Sequence, residues 1–185
     1  MKKILTSLAA IACFGMAATA AHATDGEITF NGSVVDVTCT PLVESASGSI
    51  VRLPNIAVHA LSGADVTAGD TNFSISLTGC AGGNGKKVVA EFENHKATIT
   101  ASGRLLNILE GAQDNSGATN VQLEVLDRVT GERILLGDPS QLDATNSVIA
   151  NETARLDYTV RYFSPAGPVT PGMVASVLPF TIIYQ

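Results

Sequence analysis

Two cysteines, Cys39 and Cys80, are the side chains here with the most capacity for covalent chemistry. Paired, they make a disulfide. A metal pair or a thiol redox pair would want close spacing such as C-x-x-C, or histidines nearby, and neither is present. His59 and His95 are far apart and in no H-x-x-x-H arrangement, so they read as solvated or turn histidines. Gly82-Gly83-Asn84-Gly85-Lys86-Lys87 invites a phosphate-loop reading. It fails that test, because Cys80 stands where the first glycine belongs and Lys87 where Ser or Thr belongs. The run reads instead as a flexible hairpin turn. Carboxylates are scattered without a recognisable catalytic pair, and no G-x-S-x-G occurs. The expectation is a chain with no catalytic site, no cofactor and no metal.

The N-terminus reads as a targeting segment. Met1-Lys2-Lys3 is a short positive leader, Ile4 to Ala20 is mostly apolar, and Ala21-His22-Ala23 is an A-x-A cleavage site. Residues 1–23 are therefore expected to be a signal peptide; an alternative cut lies after Ala20. Its removal leaves 162 residues, nine basic against seventeen acidic, a formal charge of −8. Such a chain is a poor binder of nucleic acid and is repelled by anionic membrane surfaces. No second apolar run approaches the 18 residues of a membrane span, so direct membrane insertion is not expected. Cys13 leaves with the signal, and an exported chain with two remaining cysteines reads as one disulfide in an oxidising compartment.

The rest is rich in Val, Ile, Thr, Ser and Gly, alternating apolar and polar residues in short runs between turn clusters. That is an all-β pattern. Strands are expected at 26–37, 49–53, 72–78, 86–93, 105–109, 120–127, 133–136, 154–163 and 177–184. Helical periodicity is weak, with 56–64 the best candidate for a turn or two. Strands of this number and spacing argue for a single β-sandwich domain. Both ends of the mature chain are strand-like: Ile28, Phe30, Gly32 and Val34 share one face, as do Phe180, Ile182 and Tyr184. Neither 26–35 nor 180–185 carries the proline or clustered lysine that normally blunts a sheet edge.

Three segments carry a resemblance to the type 1 fimbrial subunits of the chaperone–usher pathway. Gly26-Glu27-Ile28-Thr29-Phe30-Asn31-Gly32-Ser33-Val34-Val35, followed by Cys39, resembles that family's N-terminal G-x-[IV]-x-F-x-G-x-[IV] run and first cysteine. Phe73-Ser74-Ile75-Ser76-Leu77-Thr78-Gly79-Cys80 is similar to its second-cysteine strand. Tyr162 to Gln185, with Ala166-Gly167-Pro168, Thr170-Pro171-Gly172 and penultimate Tyr184, is similar to its C-terminal block.

The resemblance implies an incomplete immunoglobulin-like β-sandwich, the pilin fold, lacking its final strand. It also implies a division into signal peptide (1–23), N-terminal donor-strand extension (24–37) and pilin domain (38–185). Gly26, Ile28, Phe30, Gly32 and Val34 would form the donor strand, and Phe180, Ile182 and Tyr184 the strand that pairs with the chaperone. The implied partners are a periplasmic pilus chaperone, an outer-membrane usher and neighbouring pilin subunits, in a homopolymer or mixed fibre. The product would be an extracellular fimbrium on the bacterial surface, reached through the periplasm. The alternative within the resemblance is a minor adaptor or adhesive subunit of the same fimbria.

Overall fold

The computed structural model of the chain describes residues 32, 34, 36–94 and 97–185. The expected signal peptide, His95 and the donor positions Gly26, Ile28 and Phe30 lie outside the described residues. The chain divides into two units, Met1–Val34 and Val35–Gln185. In the first, the only described residues, Gly32 and Val34, are exposed.

The second unit is a two-layer β-sandwich. Its strands are β1 (Thr38–Ser45), β2 (Val66–Ala81), β3 (Lys87–Phe92), β4 (Leu105–Leu106), β5 (Gln122–Asp127), β6 (Asn146–Val148), β7 (Ala154–Ser164) and β8 (Phe180–Tyr184). One sheet has the order β1-β2-β7-β5-β4 and the other β6-β3-β8, with every named pairing antiparallel.

Period-two alternation explains the layers, since alternate residues of a strand face opposite sides. Ile75 and Leu77 of β2, Leu123 and Val125 of β5, and Leu156 and Val160 of β7 turn inward. Val88, Ala90 and Phe92 of β3 meet them from the second sheet. Tyr158 joins the layers. It sits opposite Phe73 in the β2–β7 register and stacks on it at 5.3 Å, while Phe92 meets its ring edge-on at 5.5 Å. Burial pushes the Tyr158 phenol pKa well up, with the charges of Asp127 and Asp157 adding to the shift. Gly69 accommodates a bulge in β2: its φ is +75°, the register shifts around it, and a Cβ there would press on the Tyr162 ring.

Four expectations are corrected. Residues 49–53 form no strand; they run along the sandwich with Val51 and Leu53 packed inward but no ladder partner. At 133–136 there is a single bridge, Arg133 to Leu126. The helical candidate at 56–64 shortens to one 3-10 turn, Val58–Leu61. The glycine run 82–85 is not a hairpin turn, because β2 and β3 belong to different sheets and the run carries the chain from one layer to the other.

Candidate functional site

The site is a sheet edge with no pairing strand among the described residues, beside an apolar groove. In an antiparallel ladder, a residue's N–H and C=O both point to one side and its neighbours' to the other. Lys87 and Gln185 exchange both hydrogen bonds, at 3.1 and 2.8 Å. The β3–β8 register therefore turns the backbone groups of Ile183 and Thr181 toward β3 and those of Tyr184, Ile182 and Phe180 away from it. The same parity continues upstream of β8. The Pro179 carbonyl accepts from Glu93 N–H. Ala175 accepts from Ile108 N–H and donates to the Asn107 side chain, and Met173 bonds to Ser116 and Ala118. The odd-numbered residues thus use one side of this segment. The N–H and C=O groups of Val174, Ser176, Leu178, Phe180, Ile182 and Tyr184 line the other, where no described strand pairs with them. Ten residue steps at the antiparallel rise make this edge about 34 Å long.

The side chains of these even-numbered residues point into the sandwich. Val174, Leu178, Phe180, Ile182 and Tyr184 pack against the main core yet remain only partly buried. Ile75, Val125 and Leu156, deeper in the same core, are 0–1% exposed. The difference marks a gap in the layer, a groove of about 1110 Å³. Phe73, Ile75, Val125 and Val160 line it from the larger sheet, residues 49–58 from a second side, and residues 169–178 with Phe180 from a third.

Local chemistry holds the groove open. The Thr170-Pro171-Gly172 turn docks so tightly that a Cβ on Gly172 would collide with the Ala118 backbone. Asn107 donates through Nδ2 to the Ala118 and Met173 carbonyls, and its Oδ1 accepts from Ala175 N–H. Burial pushes the Tyr162 phenol pKa up, and the protonated hydroxyl donates to the Pro54 carbonyl at 3.1 Å, tying residues 49–58 to β7.

Cys39 and Cys80 form a disulfide between neighbouring strands, β1 and β2, with Cα atoms 4.2 Å apart. It clips an edge strand of the larger sheet. Phe180, Ile182 and Tyr184 share the inward face of β8, and of the three Phe180 lines the groove. The sequence reading missed Val174, Ser176 and Leu178. No alternation marks them, because Met173, Ala175 and Val177 at the odd positions are as apolar as their even-numbered neighbours. His59 is exposed on its 3-10 turn. Among the described residues no helix is long and apolar enough to cross a membrane.

The chain is similar to known proteins in sequence and in fold. The family model described as type-1 fimbrial protein, A, matches residues 53–185. The chain is 38% identical over 170 residues to the major fimbrial subunit of Stenotrophomonas maltophilia, covering 90% of this chain and 96% of that protein. It is 35% identical over 189 residues to the F17 fimbrial protein of Escherichia coli, covering both in full. Among solved structures it resembles a chaperone–usher pilus subunit with TM-score 0.55 and 20% identity, covering 88% of this chain and 96% of that one. The P pilus rod subunit aligns with TM-score 0.51 and 19% identity, over 86% of this chain and all of that one. These two structural likenesses establish the fold.

Proposed function

The chain belongs to the type-1 fimbrial protein family, structural subunits of extracellular fibres, and from that premise we propose that its copies join by strand donation. Residues 24–37 of one copy, freed by removal of 1–23, lie along the open edge of the next. Gly26, Ile28, Phe30, Gly32 and Val34 face its groove. Before that exchange a periplasmic chaperone lends a strand to the same edge, pairing with Phe180, Ile182 and Tyr184, and an outer-membrane usher hosts the replacement. This is β-strand addition used as polymerisation. The contact is heterologous and does not close on itself, so it generates a filament.

One observation supports the reading: the edge from Val174 to Tyr184 has no pairing strand among the described residues, and its stretch up to Phe180 lines an apolar groove. Main-chain pairing along it would contribute about 1 kcal/mol net per hydrogen bond. Burying Ile28 and Phe30 would add roughly 1.5–3 kcal/mol each. Phe30→Asp tests it by placing a charge where the groove is apolar. The variant is expected to accumulate as a chaperone complex and form no fibres; normal fibres in electron micrographs would overturn strand donation. The likeness to a major subunit favours a place in the fibre shaft. Immunogold labelling along the whole shaft is the expected result, and labelling confined to tips would assign a minor role.

A further inference from the structure

Among the described residues, one buried side-chain polar atom lacks a hydrogen-bond partner: the Ser176 hydroxyl. It belongs to a groove-lining residue at the second of the six edge positions. A buried hydroxyl without a partner costs stability, and native structures carry few of them. Its surroundings in the groove are chiefly apolar side chains and offer it no replacement. A strand added along this edge would set backbone carbonyls beside it.

We propose that Ser176 holds the inserted strand by donating its hydroxyl hydrogen to a backbone carbonyl beside a glycine of residues 24–34 of a second copy. The inference rests on the strand-donation reading above. The six inward positions of the edge, Val174 to Tyr184, match in number the six alternate positions Thr24, Gly26, Ile28, Phe30, Gly32 and Val34. Aligned end to end, an antiparallel strand sets Gly32 opposite Ser176, and a parallel strand sets Gly26 there. Either way the facing residue has no Cβ, so its peptide carbonyl is unshielded. A carbonyl oxygen has two lone pairs, and one remains for the hydroxyl after the ladder bond has formed. Residues 174–179 adjust as the ladder forms, bringing the covered Oγ to this acceptor. A bulkier apolar residue at the facing position would shield the acceptor, which makes Ser176 a determinant of which strand is kept.

The test uses the mature chain carrying Phe30→Asp, so that it cannot donate to itself, refolded with a labelled peptide of residues 24–37. Release of the label is then followed under excess unlabelled peptide. Ser176→Ala is expected to speed release about five-fold, the net effect of one hydrogen bond. In the empty chain the same substitution is expected to leave the melting temperature unchanged or raise it, because an unsatisfied hydroxyl is gone. Ser176→Thr, which keeps the hydroxyl, is expected to release at close to the parent rate. Equal release from parent and Ser176→Ala, or a matching destabilisation of the empty chain, would overturn the role of Ser176 while leaving strand donation intact. Failure of the parent to take up any peptide would overturn strand donation itself.

Discussion

Pro179 accepts a hydrogen bond from Glu93 N–H at 3.0 Å, so the residue in this segment that lacks an N–H turns its bare nitrogen toward the paired side. The even-numbered residues on the open side all keep their donors. A proline one position earlier or later would have removed a donor from the open row. Amide exchange should report this parity directly. In the empty chain the N–H groups of Phe180, Ile182 and Tyr184 should exchange far faster than those of Thr181 and Ile183. Adding peptide 24–37 should protect the even-numbered set, Ser176 and Leu178 included. Protection of both parities before the peptide is added would show that the edge is already paired.

The Cys39–Cys80 disulfide closes a loop with a sequence separation of 41 between neighbouring strands. The chain-entropy treatment gives a loop of that size about 4 kcal/mol. Cys39→Ser is expected to lower the unfolding free energy by a large part of that amount, since β1 is an edge strand with one pairing neighbour, β2. Urea unfolding of the peptide-filled chain, with and without reductant, measures it. Coincident curves for the parent in both conditions would mean that the bond is not formed in solution.

Much of this was legible in the sequence because alternation and turn chemistry dominate it. Strands β2, β3, β5 and β7 contain or closely match the runs read from Phe73, Val88, Leu123 and Tyr158. That Phe180, Ile182 and Tyr184 share one face followed from period two alone. β1 was missed because Pro41 interrupts the pattern, and only its place at a sheet edge makes a proline tolerable there. Residues 49–53 alternate like a strand but have no partner to make them one. The open edge at 174–178 escaped notice for a similar reason. Which backbone groups are unpaired depends on the β3–β8 register, and no local pattern encodes that register.

Glu124 is a buried carboxylate, 2% exposed, on the outer face of the larger sheet. Arg161 reaches its Oε1 through Nη2 at 2.7 Å and Nε at 2.8 Å, and Arg104 reaches Oε2 at 3.0 Å while lying 3.5 Å over the Phe163 ring. Arg133 adds a longer contact at 3.9 Å. Removing the carboxylate strands clustered guanidinium charges around an apolar ring. Breaking a buried pair in this way costs about 3–5 kcal/mol, and the partial exposure of the arginines points to the lower end. Glu124→Ala should therefore lower the urea midpoint sharply while leaving the groove unchanged. A loss well under 1 kcal/mol would show that solvent screens the cluster.

Asp127 ends β5 and gathers the turn that follows. Burial opposes its ionisation, but hydrogen bonds from Thr130 N–H, the Thr145 hydroxyl and Val129 N–H outweigh burial and hold its pKa below the ordinary carboxylate value. A depressed folded-state pKa means the charged form favours the fold. The stabilisation is complete above the unfolded pKa of about 3.9 and is lost as pH falls through the folded value. Asp127→Asn keeps one acceptor oxygen but gives up the charge, so it should cost about 1 kcal/mol at neutral pH. Asp127→Ala also leaves the two backbone donors without their acceptor and should cost about 2–3 kcal/mol. The gap between parent and Asp127→Asn in urea midpoint should be constant from pH 7 to 5 and then close progressively below pH 4. A gap that persists unchanged to pH 2.5 would mean that shape, not charge, holds the turn.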